Sequence, residues 1–191
     1  MPKSEEQCKQ MRDDMKKKIL KMSSMYFARN GFGDTKISDL AKHIGIGQGT
    51  IYLYFKSKEE LFDEIRSAAD NKEEIKKIKL LNKMPISAKL KIDRISEEVC
   101  KHLDKDEEYC VRITLQTQLL LEREDMYTDD LYKEMAKIIK QGQKEGNFVK
   151  ADAMYLADLY WGNVYLYALK RLFSKNIGAL KKETLNRLLE N

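Results

Sequence analysis

Thr35-Lys36-Ile37-Ser38-Asp39-Leu40-Ala41-Lys42-His43-Ile44-Gly45-Ile46-Gly47-Gln48-Gly49-Thr50-Ile51-Tyr52-Leu53-Tyr54-Phe55 holds two short apolar periods parted by a glycine. Ile37, Leu40, Ala41 and Ile44 fall at i, i+3, i+4 and i+7, the spacing of one buried helix face. Thr35 is a natural N-cap for that helix. Gly45 breaks it after barely two turns, and Ile46 is a lone apolar residue in the turn. Gly47 or Gln48 then opens a third helix ending near Phe55, with Ile51 and Phe55 as its narrow buried side. Its other face carries Gln48, Gly49, Thr50, Tyr52 and Tyr54. These are uncharged donors, acceptors and aromatic hydroxyls rather than the charges of a merely solvated helix. Gly49 costs about 1 kcal/mol of helix propensity against Ala, so a bare backbone at that point needs a reason.

The flanks extend the helical pattern. Upstream, Ile19, Met22, Tyr26 and Phe27 recur at i, i+3, i+7 and i+8 and mark a first helix. Gly31 suits its left-handed C-terminal cap, and Phe32 follows where a capping hydrophobe packs back. Downstream, Ser57-Lys58-Glu59-Glu60 matches the S-x-x-E capping box, which predicts one helix running from there to about Leu81. Further helices are expected at about 86–104, 106–122, 128–145, 152–173 and 178–190, with Pro85 tolerated at a helix start. Gly142 and Gly146 read as punctuation at the end of the third of these. Met1 to Arg12 reads as a frayed terminus or a basic arm.

Composition narrows the function classes. Only two prolines and nine glycines interrupt 191 residues, so long helices are permitted and a turn-rich all-β fold is not expected. No apolar run approaches the roughly 20 residues of a membrane span, and the start lacks a signal-peptide stretch. Cys8, Cys100 and Cys110 are odd in number and widely spaced, which suggests a reducing cytoplasm and inert thiols. His43 and His102 lie on separate predicted helices without metal-ligand spacing, and each reads as a surface or helix-end residue. No nucleophile elbow or phosphate-binding loop is present, so neither an enzyme nor a metal or cofactor is expected. Residues 1–82 carry 17 Lys and Arg against 13 Asp and Glu, and the remainder 19 against 18. That excess hints at a polyanion partner for the first part, although a lysine-rich solvated surface would look similar.

Two short helices about a glycine turn, packed on a longer one, make a helix-turn-helix, whose second helix can enter a major groove. The run Phe27-Ala28-Arg29-Asn30-Gly31-Phe32-Gly33-Asp34-Thr35-Lys36-Ile37, followed by Ile44-Gly45-Ile46-Gly47-Gln48-Gly49-Thr50-Ile51-Tyr52 and Phe55-Lys56-Ser57-Lys58-Glu59-Glu60-Leu61, resembles the N-terminal signature of the TetR (tetracycline-repressor) family. The resemblance covers about residues 15–65. It departs at Gly47, where the family more often has a capping serine, and at Tyr54, where it often has histidine. It implies phosphate contacts from Thr35, Lys36 and Lys58, base reading by Gln48, Gly49 and Thr50, and backbone or base-edge contacts from Tyr52 and Tyr54.

The organisation expected is all-α. A helix-turn-helix DNA-binding domain spans 1–56, a connecting helix 57–82, and an effector-binding and dimerisation domain 83–191. The aromatic residues Tyr155, Tyr160, Trp161, Tyr165 and Tyr167 crowd one predicted helix, apolar nearly all round and so buried on more than one side. The resemblance implies a homodimer in which the last two long helices pack against their copies as a four-helix bundle. Tyr109, Gln116, Leu120, Trp161 and Tyr165 read either as core or as contacts to a small-molecule effector, apolar or aromatic in character. The function implied is repression at a pseudo-palindromic operator of double-stranded DNA, relieved by the effector. The alternative is a DNA-binding module answering to a protein partner.

Overall fold

The computed structural model describes residues 5–121, 129–174 and 176–191, and the side chains of all these except 119–121. Within them the chain is all-α: no strand forms, and one isolated antiparallel bridge pairs Phe148 with Glu190. The chain divides into two compact units, Met1–Ala69 and Asp70–Asn191.

The first unit holds α1 (Glu5–Asn30), α2 (Ile37–Ile44), α3 (Gln48–Tyr52) and α4 (Lys58–Ala68). Residues 5–12 are the opening turns of α1 rather than a frayed arm. Ile19 and Phe27 of α1, Leu40 and Ile44 of α2, Ile51, Phe55 and Leu61 make its buried centre. Burying side chains of this size contributes about 1.5–3 kcal/mol each.

The second unit holds α5 (Lys72–Lys83), α6 (Ala88–Lys105), α7 (Glu107–Leu121), α8 (Asp130–Lys144), α9 (Ala153–Phe173) and α10 (Lys182–Asn186). Ser87, Asp129 and Asp152 cap α6, α8 and α9 by accepting backbone N–H groups, which satisfies donors a helix start would otherwise leave unpaired. Tyr160 is fully buried, and its hydroxyl lies 2.8 Å from Ser96 Oγ.

Three expectations need correction. The single helix read from Ser57 to Leu81 is two, α4 and α5, broken at 69–71. Asp70 Oδ1 accepts the Lys72 N–H at 3.3 Å, a local bond of the kind by which short polar side chains compete with helix. The helix expected over 178–190 contracts to α10, which packs against α6 and buries Leu185, with Leu189 buried just beyond its end. Gly142 is not punctuation. It lies inside α8, where a Cβ would stand 2.1 Å from the Phe148 ring.

Candidate nucleic-acid interface and effector site

The first unit is shaped by how its helices end. Gly31 adopts φ +77° and donates its N–H to Phe27 O at 2.8 Å, closing α1. Phe32 then folds back, stacked on Phe62 at 4.3 Å and edge-on to Phe27 at 5.6 Å. Gly45 closes α2 with φ +76°, its N–H directed at the Ala41 and Lys42 carbonyls. The turn is therefore too tight for an L-residue without strain.

Thr35 is not the cap of α2. It is buried, and its hydroxyl donates to Gly31 O at 2.6 Å. Lys36 takes the cap position with an exposed side chain and no side-chain cap bond. Lys58 departs further from expectation. Its ammonium donates to three carbonyls of the α1–α2 loop: Phe32 at 2.9 Å, Gly33 at 3.3 Å and Thr35 at 3.1 Å. It also stands 4.3 Å over the Phe32 ring. All three N–H donors are thereby occupied inside the fold, and sequence reasoning had no signal for this. The box at Ser57 forms with a shift: Ser57 Oγ accepts the Glu60 N–H at 3.1 Å, while the Glu60 carboxylate accepts from Lys56.

Against this frame α3 presents one face outward. Gly47 is its N-cap in extended backbone, and helical turns continue to Phe55 through Phe55 N–H to Ile51 O at 3.0 Å. Ile51 and Phe55 are buried, whereas Gln48, Gly49 and Tyr52 are exposed and Thr50 and Tyr54 half-buried. Tyr52 is 47% exposed, so it is not a packing aromatic. A Cβ on Gly49 would meet no atom within 4 Å; the glycine relieves no crowding inside the chain. The Arg12 guanidinium lies 5.9 Å over the Tyr54 ring, bringing to this face a cation not singled out from the sequence.

In the second unit the five candidate effector residues separate. Tyr109 is buried with its ring stacked on His102 at 5.1 Å and Arg112 at 5.0 Å, and burial drives its phenol pKa well up. Gln116 and Trp161 are buried with Gln116 Nε2 and the Trp161 indole N–H unpartnered. Tyr165 is half-buried, and the Leu120 side chain lies outside the described residues. Thr114, missed from the sequence, is fully buried with an unpartnered hydroxyl. Two surface grooves, one along Lys72, Lys76, Lys79 and Lys83 and one at Lys140, Lys144 and Lys150, include none of the five. Burial pushes the Cys100 and Cys110 thiols up to about 11, so neither is a thiolate near neutrality. Among the described residues no cluster of His, Cys, Asp and Glu could hold a metal, and no helix is long and apolar enough to cross a membrane.

A short helix with an uncharged polar outer face, set by a glycine turn on two supporting helices, defines a helix-turn-helix module. The family model for bacterial regulatory proteins of the tetR family matches residues 19–65, which lie within this first unit. The HTH-type transcriptional regulator YhgD of Bacillus subtilis (strain 168) is 48% identical over 52 residues, which is 27% of this chain and 27% of that relative. The match thus spans about a quarter of the relative's length. Solved structures align along most of the chain. The ketosteroid transcriptional regulator KstR2 of Mycobacterium tuberculosis aligns at TM-score 0.63 and 16% identity, over 93% of this chain and 95% of that one. A transcriptional regulator from Saccharomonospora viridis in complex with choline aligns at TM-score 0.59 and 21% identity, over 94% and 100%.

Proposed function

We propose that the protein is a homodimeric, cytoplasmic transcriptional repressor whose first unit binds a pseudo-palindromic operator and whose second unit binds a small effector that releases it. The observation that carries this is the outward face of α3. Gln48, Gly49, Thr50 and Tyr52 project from a helix whose opposite side, Ile51 and Phe55, is locked in the core. Gln48 has the geometry to bond adenine N6 and N7 together, and Thr50 to meet a thymine methyl or a phosphate. Bare backbone at Gly49 lets the helix approach the groove wall closely. Lys36 serves as a phosphate contact. Thr35 and Lys58 instead hold the loop that positions α2, with the Thr35 backbone still at the helix start.

Dimerisation is supported by α9. Tyr155, Leu159, Gly162, Leu166, Leu169 and Phe173 recur at alternating spacings of four and three, the period of a helix–helix seam. Tyr155, Leu159, Leu166 and Phe173 are large apolar side chains left exposed, and a Cβ on Gly162 would meet nothing within 4 Å. The outward face of α8 is Lys133, Lys137, Lys140 and Lys144, all exposed, which disfavours self-association through that helix. We therefore assign the two-fold contact to α9 first, rather than to an apolar four-helix bundle. The choline bound by the S. viridis regulator supports an effector role for the second unit by analogy of fold alone.

The test is an electrophoretic mobility shift with the DNA upstream of the protein's own gene. Wild type shifts that fragment, and Thr50→Ala and Tyr52→Ala weaken the shift while leaving the helical content unchanged. Equal shifts for all three would remove α3 from the interface.

A further inference from the structure

The second unit buries two hydrogen-bond donors without acceptors on neighbouring helices. Gln116 on α7 is 9% exposed and Trp161 on α9 is 7% exposed, and among the described residues neither Gln116 Nε2 nor the Trp161 indole N–H has a partner. The Thr114 hydroxyl, on the same helix as Gln116, is also orphaned. Buried polar groups are satisfied in the great majority of native structures, and each exception calls for an explanation, of which a bound acceptor is one. The helices bring these groups to one level. α7 packs along α9, and Arg171 near the end of α9 donates to Asp104 O, just before the start of α7, at 2.6 Å, so the two run antiparallel. Ten residues back along α9 from Arg171 is Trp161. Ten residues forward along the chain from the Asp104–Cys110 segment beside Arg171 is the stretch 114–120.

Resting on the effector reading above, we infer that the effector is an uncharged molecule that presents a carbonyl oxygen to Gln116 Nε2 and the Trp161 indole N–H. The sense of the bond follows from the groups. An indole only donates and an amide nitrogen only donates, so the ligand atom accepts. A buried carboxylate would need a cation, and among the described residues Arg112, Arg171 and Lys91 are committed elsewhere. Arg112 pairs with Glu74 at 2.6 Å, Arg171 binds Asp104 O, and the buried Lys91 ammonium bonds Asn82 O at 3.2 Å and Gln141 Oε1 at 2.8 Å. The indole also has an aromatic neighbour: Trp161 stands edge-on to Tyr160 at 5.2 Å. Tyr160 itself offers no free group, since its hydroxyl is engaged with Ser96.

Trp161 is the chain's only tryptophan, which makes its indole N–H resonance in the 15N-labelled full chain an unambiguous reporter. The chain is titrated with 2-nonanone, nonane and nonanoate, and in parallel with acetophenone, ethylbenzene and benzoate. At least one ketone is expected to shift the indole N–H resonance downfield, while its matched hydrocarbon and carboxylate bind more weakly. Gln116→Leu should weaken that ketone about fivefold, the weight of one neutral hydrogen bond, and leave hydrocarbon binding unchanged. Gln116→Met replaces it if the leucine variant misfolds. Hydrocarbon binding as tight as ketone, carboxylate tightest, or a ketone indifferent to Gln116 would overturn the inference while leaving the effector reading in place. If no probe moves the indole resonance, the inference falls, while the effector reading and the operator shift with upstream DNA are left standing as separate questions.

Discussion

Lys58 shows how a side chain's chemistry is decided by what surrounds it. A lysine in the first turn of a helix, beside a basic surface, reads as a phosphate ligand. Here its three N–H donors meet three loop carbonyls, so its removal should cost stability before it costs a contact to DNA. We predict that Lys58→Met destabilises the first unit by about 1–2 kcal/mol in urea, since hydrogen bonds from a charged donor are worth somewhat more than neutral ones and these are partly solvated. The salt dependence of operator binding separates the roles. Lys36→Met should flatten the plot of log K against log salt by about 0.9 per lost contact, hence about 1.8 for a dimer, whereas Lys58→Met should leave the slope near the wild-type value. A slope change in Lys58→Met equal to that in Lys36→Met would return Lys58 to the phosphate set.

The elements that the sequence announces are those whose signal is local. α2 and α3 were legible because four apolar positions and one left-handed glycine fix a two-turn helix and its stop. The Gly31–Phe32 cap was legible for the same reason, and Phe32 does pack on Phe27. What was not legible depends on partners distant in the chain. Gly142 reads as a helix end when only its neighbours are considered, because Phe148 reaches it through a turn at Gly146. The break at Asp70-Asn71 was hidden because a capping signal at Ser57 carries no information on where its helix stops. In the site itself, the outward residues of α3 could be named in advance, while the unpartnered donors of Gln116 and Trp161 appear only once α7 and α9 are packed. The fit of Phe148 into α8 makes a sharp prediction. Gly142→Ala should destabilise the second unit by about 1–3 kcal/mol, the usual cost of overpacking, because the ring must move to admit a methyl group. Thermal unfolding indistinguishable from wild type would mean the ring yields freely.

For the molecule as a whole, the account needs two copies. One three-helix module offers a recognition helix of only five residues, and a pseudo-palindromic site doubles its contacts. In the proposed dimer the apolar seam on α9 supplies the contact with the second copy, since the lysine face of α8 would repel its own image. Leu166→Glu, at a position 46% exposed, should therefore fold normally yet sediment as a monomer and lose the operator shift. A variant that remains dimeric would move the two-fold contact elsewhere. The claim on which the rest depends is that α3 enters DNA twice, in symmetric register, and hydroxyl-radical footprinting of the upstream DNA measures it directly. Wild type should protect two patches centred about 34–36 Å apart, one helical turn, or a whole multiple of that spacing. Both patches should fade together in Thr50→Ala. A single protected patch, or two whose protection persists unchanged in Thr50→Ala, would contradict it.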